Sequence, residues 1–159
     1  MTYSTQTSLL VNRLTNSQQD FEWYPTTQEI IDLIRVDMDE YFTFGSPSVL
    51  DCGAGDGRVL HQLTDGTKYA IEKSKPLLNI MDRYIFVVGT ELREQTLIDK
   101  RVDVLFSNPP YSEFGDWAEK IIAEAHAPLV YLVIPKRWKN DGRLQNVIER
   151  RRAETTILG

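Results

Sequence analysis

The chain has 159 residues, of which 42% are hydrophobic and 26% are charged, and its formal net charge is −5. This length suffices for one domain with a real core, and no apolar run approaches the roughly 20 residues of a membrane-spanning helix. The start of the chain lacks a secretory signal, so we expect a soluble, cytoplasmic protein without a membrane partner. Two histidines and the single Cys52 are too few for a disulfide or a zinc site, and no metal is expected.

The order of helix and strand signals predicts the fold class. Residues 1–20 are polar and are predicted to be a flexible arm, and residues 21–159 are predicted to be a single domain. Apolar residues recur at helical spacing from Ile30 to Met38, and short strand candidates then alternate with helix-compatible stretches. These candidates cover residues 48–51, 67–71, 84–88, 102–106 and 129–134. The alternation predicts an α/β, doubly wound, mainly parallel sheet.

A glycine-rich loop follows the first predicted strand, where such sheets bind their ligands. Its sequence is Asp51-Cys52-Gly53-Ala54-Gly55-Asp56-Gly57, and glycines at alternate positions let a backbone approach a ligand closely. The flanking acids Asp51 and Asp56 favour a ligand with an ammonium group or hydroxyls over a pyrophosphate. Glu72 ends the second strand 19 residues after Gly53, close to the spacing of about 20 that suits a ribose-binding carboxylate. A steric turn would explain the loop alone, but together with Glu72 it indicates a nucleoside-containing ligand.

The fourth predicted strand ends in a tetrapeptide, Asn108-Pro109-Pro110-Tyr111. A rigid turn would explain the prolines but not the tyrosine, and the tetrapeptide arises by chance with a probability on the order of one in a thousand. The Asn108 side-chain oxygen and the Pro109 carbonyl can each accept a hydrogen from an aromatic amine, which localises its lone pair. Tyr111 can stack on the ring that carries the amine. The segment is therefore a candidate catalytic platform.

At this point the sequence resembles the class I S-adenosylmethionine-dependent methyltransferases that bear Asn-Pro-Pro-Tyr. The resemblance covers about residues 21–135 and includes a segment before the glycine loop, residues 21–27, which contains Trp23 and the Tyr24-Pro25-Thr26 element. The resemblance implies that this segment helps to cradle the methionine part of the cofactor. That order of segments is similar to many adenine-N6 DNA methyltransferases and their phage-like relatives. It implies a Rossmann-like methyltransferase fold and methyl transfer to an exocyclic nucleobase amine, most specifically adenine N6 in DNA.

The resemblance also implies a set of cofactor-binding residues for S-adenosyl-L-methionine. Glu91 belongs to this set as a substitute, because Thr90 occupies the position at which the family commonly has an acidic residue for the cofactor's adenine. The complete set is Tyr24, Pro25, Thr26, Asp51, Gly53, Ala54, Gly55, Glu72, Glu91 and Asn108. Asn108, Pro109, Pro110 and Tyr111 are the implied catalytic residues.

Two departures from an ordinary member of this group concern the end of the chain. The family fold finishes with a sixth and a seventh strand, whereas residues 149–159 can supply only one, so the sheet is expected to lack a complete C-terminal strand pair. No target-recognition domain is evident, which leaves room for a homodimer or a partner subunit that supplies recognition.

A basic segment over residues 136–152 is the predicted contact with nucleic acid, although a solvated helix face explains it equally well. The assigned phosphate-contacting residues are Lys136, Arg137, Lys139 and Arg143. Three other functions stay open: methylation of protein glutamine N5, methylation of an RNA amine, and a non-catalytic module that binds cofactor.

Overall fold

A computed structural model describes residues 5–16 and 23–159 of the chain. The helices in these residues are α1 (Thr5–Asn16), α2 (Gln28–Tyr41), α3 (Arg58–Leu63), α4 (Lys75–Ile80), α5 (Phe114–Glu124) and α6 (Gly142–Arg151). The strands are β1 (Val49–Cys52), β2 (Lys68–Ile71), β3 (Phe86–Gly89), β4 (Val104–Ser107) and β5 (Leu129–Leu132). Short 3-10 helices cover Leu92–Glu94 and Lys136–Asn140.

The five strands form one parallel sheet in the order β3-β2-β1-β4-β5. Val49 of β1 is level with Lys68 of β2 on one side and with Val104 of β4 on the other. The doubly wound α/β fold is thus confirmed. Each observed strand lies within about two residues of its predicted position, because a buried parallel strand is marked by a short apolar run.

Two apolar layers cover the sheet. Successive residues of a strand point to opposite faces, so Val49 packs with the buried face of α2 and α3, whereas Leu50 packs with α5. α6 lies against α5 through Leu144, which packs with Phe114 and Ala118. The central strands β1 and β4 are fully buried, and this fixes the positions of the loops that follow them.

The N-terminal end of the described chain differs from the sequence-based expectation, whereas the lack of a C-terminal strand pair in the described sheet agrees with it. Residues 5–16 form helix α1, with Leu14 fully buried, where a flexible arm is predicted. Leu10 and Leu14 stand four residues apart, a helical spacing that the polar surroundings obscure. The rest of the predicted arm, residues 1–4 and 17–20, lies outside the described residues.

The residues that follow α6 do not add the single extra strand that their sequence permits. Residues 153–159 have no regular secondary structure and do not pair with the sheet, and Leu158 packs against the core on the α2 side. The described sheet therefore ends at β5. None of the helices in the described residues is long and apolar enough to cross a membrane.

Candidate active site at the carboxyl ends of the strands

A cleft opens at the carboxyl ends of the strands, where the sheet order changes direction. From β1 the chain extends to β2 and β3 on one side and to β4 and β5 on the other, and such a switch point is where open α/β sheets bind ligands. The cleft brings together Gly53, Glu72, Glu91, Asn108 and Pro110 of the predicted site. Trp23, which belongs to the 21–27 segment that the resemblance assigns to the cofactor, also lines the cleft. Lys73 and Trp117 line it as well and are not among the predicted site residues.

The loop after β1 needs glycine at Gly53 and Gly55, for two reasons. Both have positive φ, +86° and +60°, a region that side-chain-bearing residues rarely adopt. A Cβ on Gly55 would lie 2.2 Å from Nε1 of Trp23, and one on Gly53 would lie 3.0 Å from the ring of Trp117. The amides of Gly53 and Ala54 donate to the carbonyl of Ile71, which fastens the loop to the end of β2.

Arg58 connects the glycine loop to the N-terminal helix. Its guanidinium donates to both carboxylate oxygens of Asp56 and to the hydroxyl of Thr7 in α1. The central carbon of this guanidinium, Cζ of Arg58, lies 5.4 Å from the ring centroid of Trp23. Arg58 thereby contacts α1, the glycine loop and Trp23, the residue that packs on Gly55. The sequence does not reveal this connection, because the three segments are separate in the chain.

Glu72 has a buried carboxylate that accepts hydrogen bonds from two backbone amides. Oε2 accepts from the N–H of Gly55 at 2.7 Å, and Oε1 accepts from the N–H of Ser74 at 2.7 Å. Burial raises the pKa of Glu72, and these amide hydrogen bonds lower it in part. Each carboxylate oxygen has a second lone pair, so Glu72 can fix the loop and still accept hydrogen bonds within the cleft.

Asp51 is 1% exposed and lies beneath the loop rather than on its surface. Its Oδ1 has no hydrogen-bond partner among the described residues. Burial raises the pKa of Asp51 well above its ordinary value of 3.8, and the negative charges of Glu72 and Asp56 raise it further. Burying a carboxyl group with an unpaired oxygen costs stability, a cost that functional sites commonly tolerate.

We expect the Asp51→Asn variant to be more stable than the parent protein at neutral pH. Because the pKa of Asp51 is higher in the folded than in the unfolded protein, the folded state keeps a proton that the unfolded chain has lost. Stability therefore falls as pH rises from about 3.8 through the raised pKa. Asparagine imitates the protonated acid, so the stability difference between variant and parent should shrink as pH falls. Chemical unfolding over a pH series measures it, and a constant difference would contradict the assignment to Asp51.

The side-chain amide of Asn108 is oriented by the segment before α2. Its Nδ2 donates to the backbone carbonyl of Tyr24 and to the hydroxyl of Thr26, both at 3.1 Å. Both amide hydrogens are thus engaged, and the acceptor oxygen Oδ1 is the atom left to bind a ligand. The family resemblance assigns Tyr24 and Thr26 to the cofactor, whereas in the structure both accept hydrogen bonds from Asn108. Pro25, which lies between them, is buried.

Tyr111 is 56% exposed at the end of the platform. The guanidinium of Arg137 lies 4.6 Å from its ring centroid, and Nη1 donates to its hydroxyl at 3.4 Å. Pro109 is buried, and the carbonyl of Pro110 accepts from the N–H of Glu113. Residues 108–111 therefore form a rigid turn that also exposes the aromatic ring of Tyr111 to solvent.

The acidic candidate after β3 has a cationic neighbour. Oε2 of Glu91 lies 3.7 Å from Nζ of Lys73 across the cleft, and Thr90 beside it is exposed. Glu91 is therefore in place on the cleft wall, but part of its charge is balanced by Lys73. Its assignment to a cofactor stays a prediction.

The basic segment divides into parts with different surroundings. Lys136, Arg137 and Lys139 are exposed on the 3-10 helix after β5, at the same sheet end as the cleft. Arg143 is engaged with acids, because its guanidinium lies 2.7 Å from Asp116, 3.3 Å from Asp141 and 3.7 Å from Glu119.

The end of the basic segment lies away from the cleft. Arg151 donates to the carbonyl of Ala125, which follows the distal end of α5. A continuous phosphate-contacting edge over residues 136–152 therefore does not agree with the structure. The charge pattern is continuous in sequence, but α6 runs alongside α5 and carries its last residues to the opposite end of the sheet.

Comparisons with known proteins address the fold. No protein-family model and no curated protein matches the chain. Among solved structures, the plantazolicin methyltransferase BpumL, solved with a monoazolic desmethylPZN analog and SAH, is 15% identical with a TM-score of 0.52. That alignment covers 91% of this chain, and the chain spans 61% of BpumL.

Two other similar structures are also methyltransferases. A putative RNA methyltransferase, PH1948 from Pyrococcus horikoshii, is 18% identical over 82% of this chain and 69% of its own, with a TM-score of 0.59. The E. cuniculi Mtq2–Trm112 complex, which methylates the translation termination factor eRF1, is 19% identical over 81% and 84%, with a TM-score of 0.56. The fold is thus the Rossmann-like fold of S-adenosylmethionine-dependent methyltransferases.

Proposed function

We propose that this protein transfers a methyl group from S-adenosyl-L-methionine to an exocyclic amine of a nucleobase, with adenine N6 in DNA as the specific substrate. The observation that carries this proposal is the orientation of Asn108. Because Tyr24 and Thr26 take both of its amide hydrogens, Asn108 offers an acceptor, and only an acceptor, at the cleft. An amine donor is the matching substrate group.

The residues of the cleft fit the cofactor. Glu72 offers carboxylate lone pairs suited to ribose hydroxyls. Gly53 and Gly55 give the loop the positive φ angles and the close approach to Trp117 and Trp23 that shape this wall of the cleft. Asp51 places an acidic group beneath the loop, and a loop over an acidic group does not suit a pyrophosphate. When bound, S-adenosylmethionine supplies a methyl group activated by a positively charged sulfur.

The chain's own contribution is to hold the amine. Asn108 Oδ1 and the Pro109 carbonyl would each accept one amino hydrogen, which draws the nitrogen toward tetrahedral geometry and localises its lone pair. The prolines fix the direction of that carbonyl, since each proline locks its own φ and restricts the residue before it. The methylated nitrogen carries a positive charge and releases its extra proton readily to water, so no strong base is required. Most of the acceleration comes from positioning the nitrogen.

Tyr111 would stack on the target base, which must leave a duplex before it reaches the cleft. We expect Tyr111→Ala to weaken capture of an adenine-containing oligonucleotide by about 1–3 kcal/mol. Tyr111→Phe keeps the π-surface and should retain substantial activity. Steady-state kinetics with the oligonucleotide as the varied substrate tests this. Equal losses for the two variants would instead assign the effect to the hydroxyl that Arg137 contacts.

The direct experiment is incubation of the protein with methyl-labelled cofactor and separate pools of DNA, RNA and protein. Label in N6-methyladenine recovered from DNA is the expected result. Label found only in amines of RNA would support methyl transfer to a nucleobase amine and would identify RNA, not DNA, as the substrate. No label in any pool, with cofactor binding retained, would favour a non-catalytic module.

A protein amide is the second candidate substrate. A glutamine side chain presents the same delocalised nitrogen, and the similar Mtq2–Trm112 complex methylates a protein. Label in glutamine and none in nucleic acid would identify this function. That similar structure also suggests a partner subunit for this chain, and size determination after co-purification tests whether it binds such a subunit or a second copy of itself.

A further inference from the structure

Arg137 approaches the platform from the side opposite the cleft. It belongs to the 3-10 helix that follows β5, and β5 flanks β4 on the side away from β1. The cleft is lined by residues at the ends of β1, β2 and β3, by Asn108 and Pro110, and by the rings of Trp23 and Trp117, whereas Arg137 does not line it. Arg137 therefore marks a second border of the site, outside the cofactor cleft.

The guanidinium of Arg137 is held by two aromatic rings. It lies 4.6 Å from the ring centroid of Tyr111 and 5.0 Å from that of Phe114, which is buried at the start of α5. A guanidinium is planar and stacks on rings while its N–H groups point outward in its own plane. One of its five N–H donors reaches the Tyr111 hydroxyl, at 3.4 Å, which leaves others to bind an acceptor.

The charge of Arg137 is not balanced as the charges of its neighbours are. Arg93 pairs with Glu113 and Asp116, and Arg143 pairs with Asp116, Glu119 and Asp141. Among the described residues, no carboxylate lies within ion-pair distance of Arg137. An unbalanced, ring-held guanidinium next to an exposed aromatic is the chemistry that binds a phosphate beside a stacked base.

We infer that Arg137 binds the backbone phosphate next to the target nucleotide and thereby selects a nucleic-acid strand as the substrate. This inference rests on the proposed nucleobase function. Tyr111 then has two partners, the guanidinium on the β5 side and the target base. The base and its phosphate are recognised as one unit, and a free amide or nucleoside engages only the ring.

The test measures how binding depends on salt. A labelled single-stranded oligonucleotide containing adenine is titrated in the presence of demethylated cofactor, from roughly 50 to 200 mM salt. Arg137→Ala is expected to lose about tenfold in affinity at the low-salt end and to reduce the slope of log K against log salt by about 0.7. Arg137→Lys should restore the slope and recover only part of the affinity, because an ammonium group lacks the planar stack.

The matched control is Arg101→Ala, which removes one exposed positive charge before β4, at the opposite end of the sheet. It should leave the slope and affinity at their parent values. Methylation of free adenosine gives the second readout, because this substrate has no phosphate. Because Arg137 also contacts the Tyr111 ring, Arg137→Ala is expected to lose some adenosine methylation, but much less than it loses of oligonucleotide methylation.

Two results would overturn the inference while leaving the proposed function intact. In one, the parent methylates the oligonucleotide and Arg137→Ala keeps the parent salt slope. In the other, Arg137→Ala loses adenosine methylation as strongly as oligonucleotide methylation, which would mean that Arg137 only holds the Tyr111 ring. A parent protein that methylates a glutamine peptide and no nucleic acid would overturn both proposals.

Discussion

Replacing Asn108 with alanine is expected to lower methyl-transfer turnover by about 10²–10³, with cofactor affinity largely retained. The change removes the oxygen that localises the lone pair of the amine, an interaction worth about 2.7–4 kcal/mol in a dry, preorganised site. Single-turnover methylation of an adenine-containing oligonucleotide, normalised to folded protein, measures the effect on chemistry. Calorimetry with the cofactor measures binding separately.

The control for Asn108 is Thr26→Val, which keeps the asparagine and removes the hydroxyl that accepts from its Nδ2. If orientation matters, Thr26→Val should lose part of the turnover, and Thr26→Ser, which keeps a hydroxyl, should recover it. A simple turn at the end of β4 leads to a different result, in which Asn108→Ala loses stability alone. Full activity per folded Asn108→Ala molecule would therefore show that the catalytic platform is wrongly assigned.

The sequence predicts those parts of the fold and site that local patterns determine. The five strands are visible as apolar runs, and the glycine loop and the platform lie where strand ends place them. The contact between Asn108 and Thr26 joins residues 82 positions apart, so no local pattern reveals it. The same holds for Trp23 on Gly55 and for Asp116 and Glu119 beside Arg143, because these contacts join segments that are distant in the sequence.

Glu72 is a residue for which the sequence indicates one role and the structure adds another. A carboxylate after β2 suggests ribose binding, and spacing alone supports only that function. The structure shows that the same carboxylate holds the N–H groups of Gly55 and Ser74, and so connects the glycine loop to the start of α4. Substitution at Glu72 should therefore affect folding as well as binding.

Glu72→Ala is expected to lower the free energy of unfolding by about 2–4 kcal/mol, since two buried amides lose a charged acceptor. Relief from burying the carboxylate, which raises the pKa of Glu72, offsets part of that loss. Cofactor affinity should fall by at least roughly tenfold, or about 1.4 kcal/mol, because the loop loses its anchor and the ribose its acceptor. Denaturant unfolding measures the first effect, and calorimetry at a temperature at which the variant is folded measures the second.

Glu72→Gln separates the two roles of the residue. The oxygen of glutamine can still accept a hydrogen bond from one of the two backbone N–H groups, of Gly55 or Ser74. Its NH₂ group would face the other N–H group, and two donors cannot form a hydrogen bond with each other. Its stability should lie between those of the parent and Glu72→Ala, and its affinity for cofactor should stay close to that of Glu72→Ala if ribose binding needs the carboxylate. If Glu72→Gln instead binds cofactor as the parent does while Glu72→Ala does not, the loop anchor alone explains the loss, and the ribose assignment is wrong. Parent-like stability and affinity in Glu72→Ala would refute both roles, because neither the two amides nor the ligand would then depend on this carboxylate.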